Sequence, residues 1–101
     1  MHFMIIAKDA QDAGTLDKRL AARNTHMQGI KTHKLAGSIL DGGAILNDEG
    51  QMCGSAVFCE FESRDALNRY LEEEVYMREG VWHDIQIYPV KRVDWDTLLN
   101  S

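Results

Sequence analysis

Apolar residues run together or alternate along four stretches of the chain and recur at helical spacing along two others, in an order that gives the fold. The run "HFMIIA" at residues 2–7 predicts a central strand, and "KDAQDAG" after it carries turn residues. Thr15 is the expected N-cap, with Asp17 in the first turn, of a helix from Leu16 to Ala36 that Gly37 closes as a left-handed C-cap. "SILDGGAIL" predicts a second strand whose glycine pair marks a bulge or a close approach to the backbone. After the turn "NDEG", the strand "QMCGSAVFCEF" puts Cys53, Ser55, Val57 and Cys59 on one face and Met52, Gly54, Ala56 and Phe58 on the other. Ser63 caps a second helix with Ala66, Leu67, Tyr70 and Leu71 as its apolar face; "EEE" at 72–74 reads as its solvated end. "VYMREG" reads as a short turn, "VWHDIQIYPVKRV" as the last strand with Pro89 marking an edge or terminus, and "DWDTLLN" as a tail.

The order βαββαβ predicts an α+β, ferredoxin-like domain: a four-stranded antiparallel sheet with both helices on one face. Nothing in the chain covers the other face, yet both sides of the third strand are largely apolar. The expected cover is a second copy packed sheet to sheet, a twofold homodimer.

The long helix carries an anomaly. At about 100° per residue, Leu20, Met27 and Ile30 lie within about 40° of Leu16, which predicts a buried stripe. Arg23 falls inside that stripe, and Arg19 and His26 fall along one border at about 60° and 80° from Leu16. Two guanidiniums beside an imidazole suit an anionic ligand and a proton transfer, a task imidazole side chains commonly perform. Surface pairing of the three with carboxylates is the competing reading.

Composition narrows the classes. The net charge of −5 over 101 residues disfavours nucleic acid and anionic membranes, both of which require a basic surface. Phe3–Ala7, the longest apolar run, is far below the roughly 20 residues of a membrane span, and the N-terminus lacks the charged and apolar regions of a signal peptide. Cys53 and Cys59 lie roughly 20 Å apart on one strand, too far to bridge, so both are expected as reduced core thiols of a cytoplasmic protein. No metal site is expected: His26 and His33 are about 10.5 Å apart along the helix. His33 is expected at the surface, and His83 and Asp84 on opposite strand faces form no dyad. No nucleotide fingerprint occurs.

The residues also resemble a known family. "KRLAARNTHMQGI", "GSILDGGAI", the "GSAVFCEFES" that follows a G-S-x-x-x-x-E-F-x-S pattern, and "EEVYMREGVW" together are similar to the YciI-like (YCII-related) family. The likeness spans residues 3 to about 93 and implies a domain at 1–93 with a tail at 94–101. The fold it implies is the dimeric α+β barrel. It implies a histidine–carboxylate role for His26, with Arg23, Ser55 and Tyr76 as pocket neighbours. Where the family pattern has Asp-Pro-Tyr, this chain has Glu74-Val75-Tyr76. Glutamate keeps the carboxylate on a longer arm, and loss of proline frees a φ angle. Glu74 is thus the expected partner of His26, and Asp41 a second possible carboxylate.

The expected function is cofactor-free acid/base chemistry, as a lyase or isomerase akin to a dehydrochlorinase or muconolactone isomerase, on a small anionic or phenolic ring compound. His26 would be the base, Glu74 its orienter, and Arg19 and Arg23 the anion clamp. The alternative is a non-catalytic ligand-binding or accessory dimer using the same cavity.

Overall fold

A computed structural model describes all residues, 1–101. Its elements are β1 (His2–Asp9), α1 (Thr15–Ala36), β2 (Ile39–Leu46), β3 (Met52–Glu60), α2 (Arg64–Glu73), α3 (Val75–Arg78), β4 (Trp82–Val90) and α4 (Trp95–Leu99). The strands form one four-stranded antiparallel sheet in the order β2-β3-β1-β4. This is the ferredoxin-like arrangement, with Pro89 on the edge strand β4.

Register explains which residues meet. Phe3 pairs with Cys59, Ile5 with Val57 and Ala7 with Ser55, so these six share the helix-covered face. All six are buried, and Leu67, Tyr70 and Leu71 of α2 close over them with Val81. On the opposite face Met4 pairs with Phe58 and Tyr88, and Ile6 with Ala56. No element of the chain covers that side; Phe58 and Tyr88 keep 37% and 44% of their surface exposed.

The close approach expected at "DGG" is real at Gly42. The β2–β3 register shifts between Ile39 and Asp41, and a Cβ at Gly42 would lie 2.7 Å from the Ala56 carbonyl oxygen. Gly42→Ala must therefore push β2 off β3, at a cost of about 1–3 kcal/mol measurable by urea unfolding. Ser63 caps α2 as expected, its hydroxyl accepting from the Ala66 N–H at 3.1 Å. Ser63→Ala should cost about 1 kcal/mol in the same measurement.

Several expectations need correction. Gly14, rather than Thr15, is the N-cap of α1, and Thr15 is buried in its first turn. "VYMREG" contains the short helix α3, because Glu74 supplies it with an N-cap. The last strand stops at Val90, where Lys91 and Arg92 run out into solvent. The tail folds into α4, capped by Asp94, whose two carboxylate oxygens accept from the Thr97 backbone N–H and hydroxyl at 3.1 and 2.9 Å. Those bonds hold the Asp94 carboxyl below its usual range.

The largest correction concerns α1. Its buried residues are Thr15, Arg19, Ala22 and His26, while Leu20 and Met27 are 50% and 42% exposed. The buried face is therefore turned roughly 90° from the apolar stripe. The far end is as expected: α1 stops at Ala36, and Gly37 has φ 86°, with the N–H groups of Gly37 and Ser38 bonded back to the carbonyls of Lys34 and His33.

Candidate functional site

The rotation of α1 has a chemical consequence. Its stripe of Arg23, Met27, Ile30 and Lys34 faces a partly open cavity of about 310 Å³ between α1 and the β2–β3 hairpin. Ile39, Leu40, Gly42, Gly43, Ala44, Met52 and Val57 line the opposite wall, and Arg19, His26, Ser55 and Tyr76 line its polar part. The volume lies at the small end of ligand pockets and fits a single-ring compound. The stripe looked like core because a ligand cavity and a core demand the same apolar spacing.

His26 and Glu74 meet at this polar part. His26 Nδ1 lies 2.6 Å from Glu74 Oε1, with both side chains buried. A carboxylate can only accept, so Nδ1 is the donor, and Nε2 has no partner in the chain. Glu74 is itself held. Its backbone N–H closes α2 onto the Leu71 carbonyl, Oε1 also accepts the Tyr76 N–H at 3.3 Å, and Oε2 accepts the Tyr70 hydroxyl at 3.4 Å. Burial and the neighbouring Glu74 charge push the Tyr70 phenol well up, so it stays a donor. Glu72 and Glu73 form the expected solvated end, but Glu74 turns inward.

Arg19 does not stand free as a clamp. Its Nη1 donates to both oxygens of Asp9 at 2.8 and 3.0 Å, and its Nη2 donates to the Gly54 carbonyl at 2.8 Å and the Ser55 hydroxyl at 2.9 Å. The guanidinium is nearly sealed and its Nε–H has no partner. Burial raises the Asp9 carboxyl above its usual range against the pull of Arg19. Arg23 is different: it lines the cavity, is exposed, and makes no ion pair in the chain. Of the two expected clamps, only Arg23 has charge to spare.

An aromatic frame sets the positions of these groups. The Tyr76 ring stacks on His26 at 3.9 Å between centroids and 14° between planes. On the Arg19 side, the guanidinium carbon sits 4.8 Å from the same ring's centroid. Trp82 meets both His26 and Tyr76 edge-on and donates its indole N–H to Ser55 Oγ at 3.1 Å. His26 is thus fixed by a carboxylate at its Nδ1, a ring at its face and an edge beside it.

Asp9 and Trp82 are parts of the site that periodicity did not single out. The signal for Asp9 was present: it continues the Phe3, Ile5, Ala7 face of β1, and a carboxylate there requires a cation. Asp41 lies on the cavity wall, but its side chain accepts its neighbour's N–H, from Gly42 at 2.8 Å, and does not reach the histidine. His33 is half-buried with its ring edge-on to Tyr70, and His83 is exposed. No group of three His, Cys, Asp or Glu side chains is close enough together to hold a metal ion.

Comparison with known proteins gives the family and the fold. The model of the YCII-related domain matches residues 1–91. Protein YciI of Escherichia coli O6:H1 is 31% identical over 99 residues, covering 92% of this chain and 99% of its own. The crystal structure of 5-chloro-2-hydroxyhydroquinone dehydrochlorinase (TftG) from Burkholderia phenoliruptrix AC1100, in complex with 2,5-dihydroxybenzoquinone, superposes with a TM-score of 0.79. It is 26% identical, over 92% of this chain and 96% of that one. A conserved protein from Methanosarcina mazei Go1 shares the fold at a TM-score of 0.62, with 12% identity over 90% and 94% of the two chains. With a family model matched across nearly its whole length and a full-length relative at this identity, the chain belongs to the YCII-related family.

Proposed function

We propose that this protein is a small-molecule enzyme that moves a proton on a single-ring anionic or phenolic compound by isomerisation or elimination, with no cofactor. The observation that carries this reading is the His26–Glu74 pair at 2.6 Å, with His26 on the wall of a ring-sized cavity. Nε2 takes the proton from the substrate, and Glu74 stabilises the imidazolium that forms. Arg23 attracts the anion and Tyr76 keeps the imidazole plane fixed. Arg19 acts from behind, holding Ser55 and the Tyr76 ring. The structural relative acts on a chlorinated hydroxyhydroquinone, which supports ring compounds of that kind as first candidates.

The test is turnover of a panel of catechols, hydroxyquinones, chlorinated hydroxyhydroquinones and ring lactones. At least one should be consumed, and His26→Ala should abolish that consumption while the circular dichroism spectrum stays unchanged. Unchanged turnover in His26→Ala contradicts the assignment. Glu74-Val75 in place of Asp-Pro favours a second reading, a binding dimer without chemistry; tight binding across the panel with no turnover would select it.

The uncovered sheet face supports a homodimer with sheets packed face to face, which would bury Met4, Ile6, Phe58 and Tyr88. Phe58→Glu should convert the dimer to monomer in sedimentation at micromolar concentration; a wild-type chain that sediments as monomer contradicts it. No helix is long and apolar enough to cross a membrane. Two unpaired cysteines, one buried and one half-buried, support a cytoplasmic location. Burial pushes the Cys59 thiol up to about 11, so it packs as an inert apolar group.

A further inference from the structure

The direction of the hydrogen bonds around Ser55 and Tyr76 carries the argument further. Ser55 Oγ accepts two hydrogen bonds, from Arg19 Nη2 at 2.9 Å and Trp82 Nε1 at 3.1 Å. A hydroxyl oxygen has two acceptor lone pairs, so both are taken, and neither donor can accept anything back. The serine proton is left without an acceptor in the chain, on a side chain 4% exposed that lines the cavity. Tyr76 repeats the pattern. It is 1% exposed and lines the cavity, its ring is held against His26 and the Arg19 guanidinium, and its hydroxyl has no partner in the chain. Arg19 Nε is the one buried side-chain polar atom both sealed and unpartnered, so the Tyr76 hydroxyl keeps access to the cavity. Burial raises the phenol above its ordinary range although Arg19 and Arg23 draw it down, which keeps it protonated and able to donate.

We propose that the Ser55 and Tyr76 hydroxyls form a two-donor oxyanion site, which restricts the substrate to ring compounds bearing a carbonyl oxygen next to the acidic C–H. This rests on the proton transfer to His26 proposed above. In the step, the C–H bond breaks and its proton passes to His26 Nε2. The bond's electron pair forms a new C=C, and the carbonyl π pair moves onto oxygen. That oxygen, now an enolate, accepts hydrogen bonds from Ser55 Oγ–H and Tyr76 Oη–H. Arg19 lends its charge through Ser55, and no counter-proton or redox partner is required. The two hydroxyls thus belong to the reacting centre, and Arg19 and Trp82 are positioning residues that fix the direction of one of them.

The probe is 4-nitrophenol, whose ionised form absorbs in the visible, with 4-nitroanisole as the uncharged control. Wild-type protein should bind the phenolate at least tenfold tighter than the ether and lower the apparent pKa of the bound phenol by about one unit. Tyr76→Phe and Ser55→Ala should each lose about tenfold in phenolate affinity and little in ether affinity. Tyr76→Phe removes one oxygen and no packing, so it carries the test if Ser55→Ala unfolds. Phenolate affinity unchanged in Tyr76→Phe, or equal loss of both probes, overturns the proposal. His26→Gln separates the two readings: if turnover survives in it while the hydroxyl effects persist, the oxyanion site stands and the role of His26 falls.

Discussion

Glu74→Gln is expected to lower kcat on the substrate found in the panel by about 10²-fold or more at neutral pH, with the fold retained. Glutamine is nearly isosteric and keeps the local bonds. Its amide oxygen still accepts from His26 Nδ1 and the Tyr76 N–H, and its amide nitrogen can donate to the Tyr70 oxygen. The tautomer of His26 therefore survives, and only the negative charge is lost. That charge matters once His26 has taken a proton, because the imidazolium then sits in a nearly sealed site with its one carboxylate neutralised. The loss should fall on kcat more than on KM, since the substrate binds to the uncharged imidazole. Glu74→Asp keeps the charge but shortens the arm, and should retain more activity than Glu74→Gln. Equal kcat for the wild type and Glu74→Gln would remove Glu74 from the mechanism.

Asp9→Leu is the second large effect, this time on stability. The variant leaves Arg19 buried, charged and held only by the Gly54 carbonyl and Ser55 hydroxyl. Breaking one side of a buried pair costs about 3–5 kcal/mol, more than simple loss of the attraction, because the remaining charge stays desolvated. A domain of this size has only about 5–15 kcal/mol in hand. Urea midpoints should therefore fall steeply, and Arg19→Met combined with Asp9→Leu should cost less than the two single changes added together. The pH dependence has a definite sign. The Asp9 carboxyl is raised in the folded state, so the native protein holds that proton more tightly than the unfolded chain does. Its contribution to stability is fully present below the ordinary carboxylate range and is lost as pH rises through the raised value. Asp9→Leu should flatten that part of the stability profile.

The fold was legible in the chain for a simple physical reason. Strand alternation in "QMCGSAVFCEF" and the punctuation by Gly37, "NDEG" and Ser63 act locally, and each survives in the structure. What failed was the assumption that an apolar stripe must be core. In α1 the true inner face contains Arg19 and His26, which are polar because their partners Asp9, Ser55 and Glu74 come from β1, β3 and the α2–α3 junction. Periodicity within one helix carries no information about such long-range partners. The order of residues matching the YCII-related pattern did point to His26, Ser55 and Tyr76. It did not reveal that Arg19 is spent on Asp9, or that Glu74 doubles as the cap of α3.

In the proposed chemistry, His26 moves a proton to and from carbon on a ring held in this cavity. Hydrogen–deuterium exchange at a ring C–H of a hydroxyquinone probe in D₂O, followed by NMR, tests it without requiring complete turnover. Wild-type protein should speed exchange well above the buffer rate, and His26→Gln should return it to the buffer rate. Exchange at the same rate in both proteins would contradict it.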